Sequence, residues 1–271
     1  FGVLNSSMGS YSPFLQAVTT VFMMLFGVNF SFYFLVLYRK AKDAFSMEEV
    51  HWYFGIYFGA VFLMTANLSV QGGGILHNFH HAAFQAASIM TTTGFSTLDF
   101  NLWPSFAKAI LLMLMFIGAC AGSTGGGIKV SRIVILFKTV LKELNSYIHP
   151  KSVRKINVEG KPVDHEVVRS INVFFITFII IFTISVFAIS FEDKDLVTNF
   201  TAVLTTINNM GPGLAKVGPT QNFGQFNVFS KLVLMFDMLA GRLELFPLLI
   251  LFHPAIWKES IESHRKKRAN K

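Results

Sequence analysis

Two short stretches of this chain end in polar residues around a glycine. The first, TTTGF, covers 91–95, and the second, NNMGPG, covers 208–213. Gly94 can adopt a positive φ at little cost, so the backbone around it can turn successive carbonyl oxygens toward one axis. Carbonyl oxygens arranged in this way can replace part of the hydration shell of an alkali cation. The first stretch therefore predicts a cation-coordinating turn, although a threonine-rich turn that ends a buried helix is the alternative.

The two glycine turns are spaced as an internal repeat. Gly211 follows Gly94 by 117 positions, and the short apolar segments that contain them cover 77–95 and 195–213. Each segment has fewer than the roughly 20 apolar residues that cross a bilayer. Non-helical polar backbone at membrane depth is tolerated where it lines a water-filled path. We therefore expect two re-entrant elements whose backbone carbonyls line an ion path, contributed by Thr92, Thr93, Gly94, Asn209, Met210 and Gly211.

The composition is that of an integral membrane protein. Of the 271 residues, 52% are hydrophobic and 14% are charged, whereas soluble domains carry about 25% charged residues. The single cysteine, Cys120, excludes a disulfide within the chain. The net charge of +8 comes mainly from residues at 39–42, 132–169 and 258–271. Basic loops face the cytoplasm, so this charge predicts a membrane orientation and does not require a nucleic-acid partner.

Apolar periodicity and charge boundaries predict five membrane spans. The third and fifth are too long for one straight helix, and both contain polar breaks. One short re-entrant element lies between the second and third spans, and the other lies between the fourth and fifth. The order of span, short element and span therefore occurs twice. The predicted spans cover 13–38, 50–70, 104–142, 167–190 and 226–257.

A glycine-rich run interrupts the third predicted span. The sequence GSTGGGIK at 122–129 has its glycines at Gly122, Gly125, Gly126 and Gly127. A Walker A loop requires lysine at the position of Ile128, and it follows a strand of a soluble domain. The present run instead follows an apolar segment that is typical of a membrane helix. We therefore expect no nucleotide site here. The run predicts an unwound intramembrane loop, and a glycine-rich surface for helix packing is the alternative.

Arg242 lies within the fifth predicted span. An arginine at the centre of a membrane helix costs about 2.5–3.5 kcal/mol on insertion scales, so it needs a partner or water. Glu244 is two positions away and does not face it on a helix. We expect Arg242 to contact the unpaired carbonyls of 122–127 and to hold this loop across the path, with Lys129 anchoring its cytoplasmic end. An arginine that reaches lipid headgroups is the alternative.

Three histidines, His77, His80 and His81, lie at the mouth of the first short element. Their spacing is compatible with metal ligands, but no further ligand type lies nearby in the sequence. We expect them to be interfacial histidines, with a metal site as the alternative.

Together these motifs resemble the superfamily of Trk, Ktr and HKT potassium transporters, and bacterial Trk-type membrane subunits most closely. The resemblance rests on ASIMTTTGF (87–95), CAGSTGGGIKVSR (120–132), NNMGPG (208–213) and AGRLELFP (240–247), in this order. It implies an all-α integral membrane protein with tandem helix–pore helix–helix repeats and re-entrant filter loops. Four such repeats surround one pore in that superfamily. Because this sequence contains two filter segments, we expect it to be the C-terminal portion of a longer protein.

The resemblance divides the chain into five parts. Residues 1–49 would hold the closing helix of a preceding repeat and a cytoplasmic loop. Residues 50–142 would be the third unit, with its intramembrane glycine loop, and 167–257 would be the fourth unit. Between them, 143–166 would form a cytoplasmic connector, and 258–271 would be a basic cytoplasmic tail.

The resemblance also implies a function and partners. It implies potassium transport across the bacterial inner membrane through a selectivity filter of backbone carbonyls, gated by the glycine loop. The expected assembly is a multi-pass homodimer in membrane lipid, bound to a cytosolic nucleotide-binding regulatory subunit. We expect no enzymatic activity, no cofactor in this chain and no nucleic-acid partner, with the potassium ion as the transported ligand. A broken-helix secondary transporter of a small solute is the alternative.

Overall fold

The computed structural model of the protein describes residues 7–149 and 155–242. Helices form most of the regular structure in these residues. The two strands found there, β1 (Asn157–Val158) and β2 (Lys161–Pro162), pair as an antiparallel hairpin. The helices are α1 (Pro13–Phe26), α2 (Phe30–Leu37), α3 (Ala41–Phe45), α4 (Glu48–Val70), α5 (Ile75–Met90), α6 (Ser105–Phe116), α7 (Val130–Ile148), α8 (His165–Ser190), α9 (Leu196–Ile207) and α10 (Val228–Arg242).

Two of the described helices are long and apolar enough to cross a membrane. They are α4 with 23 residues and α8 with 26, and the bent pair of α1 and α2 brings the number to three if it counts as one span. The predicted third span, 104–142, is divided into α6 and α7 by a non-helical segment over 117–129. Of the predicted fifth span, 226–257, the part up to Arg242 belongs to the described residues, and it contains α10.

The predicted first span, 13–38, is not one straight helix. Its two parts, α1 and α2, meet at an angle of 89°. Asn29 begins α2, because its side chain accepts a hydrogen bond from the amide two residues further on at 2.8 Å. In the unwound turn, the carbonyl of Gly27 accepts a hydrogen bond from the amide of Cys120 at 3.0 Å. A contact across some ninety residues stabilises the bend, so local periodicity could not predict it.

The two short helices α5 and α9 are enclosed by their neighbours. The helix α5 packs against α1, α4 and α6, and α9 packs against α6, α8 and α10. Residues 82–90 of α5 and 201–207 of α9 are all buried. The C-terminal ends of both short helices therefore lie inside the protein, where neighbouring helices can fix the backbone that follows.

Several predicted boundaries differ from the observed elements. The loop predicted up to residue 49 contains the short helix α3 and the start of α4. The helix α7 continues to Ile148, so the predicted connector 143–166 includes its last turns as well as the β1–β2 hairpin. Residues 243–257 of the predicted fourth unit and the predicted tail 258–271 lie outside the described residues.

Candidate functional site

The helices α5 and α9 are followed by the same backbone turn. In the first turn, the amide of Thr93 donates to the carbonyl of Ser88 at 2.9 Å, and in the second, the amide of Met210 donates to the carbonyl of Thr205 at 2.8 Å. The preceding amide of each turn donates to the carbonyl three residues earlier, at 3.1 and 3.0 Å. These two hydrogen bonds therefore recur at equivalent positions, 117 residues apart.

The two turns also share their unusual backbone angles. Thr92 and Asn209 have φ values of 56° and 55°, and Gly94 and Gly211 have values of 80° and 108°. Glycine adopts positive φ readily, but a β-branched residue such as Thr92 does so rarely. Conformations of this kind persist where the surrounding structure determines them, and they cluster at functional sites. The same turn in both repeats therefore marks these segments as a candidate site.

Hydroxyl groups fix the chain around the first turn. The Thr91 hydroxyl donates to the carbonyl of Ala87 at 2.7 Å and lies 2.8 Å from the Thr93 hydroxyl. The Ser88 hydroxyl donates to the carbonyl of Phe95 at 2.5 Å. These bonds tie the segment that follows α5 back to the last turns of the same helix.

The second turn is held by different side chains. The Asn209 side chain donates to the carbonyl of Met238 in α10 at 3.0 Å. Further along, the amide of Leu214 donates to the Thr201 hydroxyl at 3.1 Å. The backbone turn is thus shared by the two repeats, whereas the side chains that stabilise it are not.

The N-terminal end of α9 is capped by a carboxylate. Asp195 accepts hydrogen bonds from the amide and the hydroxyl of Thr198, at 2.9 and 2.7 Å. The hydroxyl bond in particular holds the pKa of Asp195 below its usual range. The charged carboxylate is therefore favoured at the start of this helix, where the helix dipole also favours negative charge.

The glycine-rich segment lies directly against both turns. The amide of Gly126 donates to the hydroxyl of Thr92 at 2.7 Å. A Cβ atom added to Gly126 would lie 2.7 Å from the carbonyl oxygen of Asn208, and one added to Gly125 would lie 3.3 Å from that of Thr91. The first approach is closer than real Cβ contacts allow. Glycine is therefore required where this segment passes between the two turns.

The segment forms a closed loop with a narrow base. The amide of Gly118 donates to the carbonyl of Ile128 at 2.7 Å, and the amide of Val130 donates to that of Ala119 at 3.2 Å. Positive φ values at Gly122 (67°) and Gly127 (71°) reverse the chain direction between these contacts. The loop 117–129 thus begins and ends at nearly the same place, between the end of α6 and the start of α7.

The sequence analysis assigns two cations to the loop, and each of them lies against a different loop carbonyl. The Lys129 ammonium group donates to the carbonyl of Gly125. The Arg242 guanidinium lies 3.5 Å from the carbonyl of Thr124, at the long limit of a hydrogen bond. An open cleft of about 370 Å³ lies beside the loop, and both cations line it.

A carboxylate that the sequence analysis did not select also holds the loop. Glu49, in the first turn of α4, accepts hydrogen bonds from the amides of Ala121 at 2.7 Å and Ser131 at 3.0 Å. These amides are 72 and 82 positions away from it in the sequence. An acidic residue in a first helical turn is common, so nothing in the local sequence indicates this contact.

The segments that follow the two turns are joined by one side chain, which the sequence analysis also missed. The Asn101 amide group donates to the carbonyl of Ala215 at 3.1 Å and accepts from its amide at 2.9 Å. Asn101 lies in a single 3₁₀ turn before α6, and Ala215 has a φ of 55°. The pair links the two repeats on the side where α5 and α9 begin.

The three histidines contact one another and nearby polar groups. The Nε2 atoms of His77 and His81 are 3.2 Å apart, and Nδ1 of His81 lies 2.8 Å from the Thr97 hydroxyl. His80 lies 2.7 Å from the side-chain oxygen of Gln16. Within residues 7–149 and 155–242, no group of three or more histidine, cysteine or acidic side chains has the geometry of a metal site.

Comparisons with known proteins give a consistent result. The profile of the TrkH family, described as a cation transport protein, matches residues 60–262. The Trk system potassium uptake protein TrkH of Escherichia coli (strain K12) is 35% identical over 263 residues, which cover 96% of this chain and 54% of that protein. TrkG, a Trk system potassium uptake protein of the same strain, is 33% identical over 261 residues, covering 95% and 53%.

A solved structure shares the fold. The crystal structure of the potassium transporter TrkH from Vibrio parahaemolyticus matches with a TM-score of 0.87 and 34% sequence identity, covering 95% of this chain and 56% of that one. The chain thus spans about half the length of the relatives that it matches. The tandem turns and the glycine loop lie within residues 60–262, which the family profile matches.

Proposed function

Because the chain belongs to the TrkH family of cation transport proteins, we propose that it supplies two of the units that surround a potassium-conducting pore. The observation that carries this proposal is the recurring backbone turn after α5 and α9, which has two hydrogen bonds and two positive φ values at equivalent positions. A repeated turn of main-chain atoms suits the binding of an unhydrated cation, since carbonyl oxygens can replace its water ligands. The C-terminal ends of the two helices add partial negative charge at the same place.

In this proposal the filter consists mainly of backbone carbonyls. The contributing residues are Thr92, Thr93, Gly94, Asn209, Met210 and Gly211. Potassium is the transported ligand, and no further cofactor is needed, because ion conduction breaks no covalent bond. The chain then acts as a transporter and not as an enzyme.

The glycine loop acts as the gate in this proposal. Gly125 and Gly126 lie between the two turns without room for a side chain, so the loop obstructs any path that passes between them. Gly122 and Gly127 provide the reversals of direction that bring it there. Lys129 and Arg242 hold it through two of its carbonyls. Displacement of the loop would open the path.

In this proposal, the protein is a multi-pass component of a bacterial inner membrane. Residues 50–142 and 167–257 act as its third and fourth units, with 1–49 closing a preceding unit. The connector 143–166 and the tail 258–271 face the cytoplasm, where basic residues are favoured. A homodimer and a cytosolic nucleotide-binding subunit that regulates the gate complete the proposed assembly, which has membrane lipid around it and no nucleic acid.

The test is a flux measurement on the full-length protein that contains this chain, reconstituted in liposomes. Rapid potassium flux that discriminates against sodium is the expected result. Stoichiometric exchange of an organic solute would contradict the proposal and support a broken-helix secondary transporter. A double variant, Gly94→Ala with Gly211→Ala, serves as the matched control, because it alters both turns without removing a helix.

A further inference from the structure

One carboxylate oxygen contacts both ends of the glycine run. Glu49 is 7% exposed, and its Oε1 atom accepts the amide hydrogens of Ala121 and Ser131. Ala121 directly precedes Gly122, and Ser131 lies in the first turn of α7. The same oxygen therefore holds the chain where it enters the glycine run and where it returns to a helix.

Both amides need an acceptor from outside their own element. The amide of Ser131 is one of the first four donors of α7, which have no partner within the helix. The amide of Ala121 belongs to the non-helical loop. A buried amide without an acceptor is costly, and a negative charge at the start of α7 is favoured by the helix dipole. Glu49 meets these requirements from α4, a helix long enough to span the membrane.

We propose that Glu49 is a positioning residue that sets the resting position of the glycine loop against the two turns. This inference rests on the proposed function of the loop as a gate. When Glu49 is removed, both ends of the loop lose their shared acceptor, and the part between them can move away from Thr92. The adjoining cleft of about 370 Å³ provides space for that displacement.

The neighbouring residue provides a matched control. Glu48 lies in the same helical turn, but it pairs with Lys138 of α7, whose ammonium lies 2.6 Å from the carboxylate. The Glu48 side chain is 28% exposed. Within the described part of the chain it bonds to Lys138 and Trp52 and not to the loop. Removal of either glutamate weakens the contact between α4 and α7, but only Glu49 holds the amides of the loop. A purely structural role would affect both variants alike.

The chain also contains a reporter for the position of the loop. Cys120, its single cysteine, is fully buried beside Ala121. In the full-length protein, the rate at which a small thiol reagent labels the Cys120 peptide can be followed by mass spectrometry. This readout does not require ion flux.

The experiment compares Glu49→Ala, Glu49→Gln and Glu48→Ala in the reconstituted full-length protein, with Cys120 labelling and potassium flux as readouts. We expect Glu49→Ala to raise both about tenfold, the factor that corresponds to about 1.4 kcal/mol. Glu49→Gln keeps an oxygen acceptor, so both rates should remain within about threefold of wild type, and Glu48→Ala should behave as wild type.

The outcomes separate this inference from the proposed function. Wild-type labelling in Glu49→Ala, or an equal rise in Glu48→Ala, would overturn the role of Glu49. In a protein that conducts potassium, faster labelling without any change in flux would instead overturn the proposed function of the loop as a gate. If the wild-type protein conducts no potassium, the proposed function fails, and the labelling rates alone still decide whether Glu49 positions the loop. If Glu49→Ala does not fold, Glu49→Asp replaces it: its carboxylate is one methylene shorter, and unchanged labelling would overturn the inference.

Discussion

The hydroxyl of Thr92 accepts a hydrogen bond from the amide of Gly126 at 2.7 Å. This bond joins the turn after α5 to the loop that lies against it. Thr92 has a φ of 56°, so its side chain points in a different direction from that of a residue in a helix. One residue therefore belongs to the candidate filter through its backbone and to the candidate gate through its side chain.

The first prediction follows from this bond. Thr92→Val keeps the shape and branching of the side chain but leaves the Gly126 amide without its acceptor, at a cost of about 1–3 kcal/mol. We expect basal potassium flux to rise about tenfold, because the loop is held less firmly. Thr92→Ser retains the hydroxyl and should have near wild-type flux. Equal flux in the valine and serine variants would show that the hydroxyl does not hold the loop.

The second prediction concerns the glycines with positive φ. Alanine at Gly94 or Gly211 must adopt an unfavourable backbone angle or change the turn, so the ratio of potassium to sodium uptake should fall. Gly59→Ala is the control, because Gly59 lies within α4 and its added Cβ would meet no atom within 4 Å. The proposal of a backbone filter would be wrong if both turn variants kept the wild-type ratio.

The third prediction concerns Arg242. Its contact with the carbonyl of Thr124 is long, at 3.5 Å, so Arg242→Ala should raise flux about fivefold, as expected for a loss of about 1 kcal/mol. Control by any cytosolic partner should weaken as well. Arg242→Lys should restore part of this control, because an ammonium group cannot reproduce the planar fork of a guanidinium. A loop-shortened variant should resemble Arg242→Ala, and wild-type behaviour in both would exclude this gate.

The fourth prediction is topological. In a Cys120→Ala background, cysteines are placed at Lys155 in the connector and at Asn222 between α9 and α10, both of which are exposed. The basic residues around the connector predict that it faces the cytoplasm. In intact cells, a membrane-impermeant thiol reagent should label position 222 and not position 155. The reverse pattern would refute the orientation.

The fifth prediction concerns the link between the repeats. Asn101→Ala removes two hydrogen bonds to Ala215, which should lower the stability of the folded protein by about 1–3 kcal/mol. Thermal unfolding in detergent measures this loss. Thr220→Ala is the control, because it removes one exposed hydrogen bond to Asp99 in the same region. A midpoint equal to that of the control would show that the Asn101 link contributes little.

The sequence was sufficient for the fold class and the family, which are confirmed. Both follow from features that a linear sequence displays: the low fraction of charged residues, the two glycine turns and the order of the motifs. Potassium transport agrees with the names of the matched relatives. The filter and gate residues, and the units assigned to the chain, remain predictions.

What the sequence could not show depends on contacts between distant segments. The bend within the span predicted over 13–38 is one example, because it is stabilised at Gly27 by the amide of the distant Cys120. Glu49 looks like an ordinary acidic residue at a helix start until the fold brings Ala121 and Ser131 to it. Asn101 likewise acquires its role only when the two repeats meet. Each of these bonds satisfies a backbone group that no local partner reaches.

The hydrogen bonds that define the two turns join main-chain atoms, and this has an evolutionary consequence. Main-chain amides and carbonyls are common to nearly all residue types, so two copies of a duplicated segment can exchange side chains without losing their shape. One copy has a threonine that bonds to the glycine loop, and the other has an asparagine that bonds to α10. A substitution can therefore change the attachment of one turn while the backbone geometry of the other turn is kept.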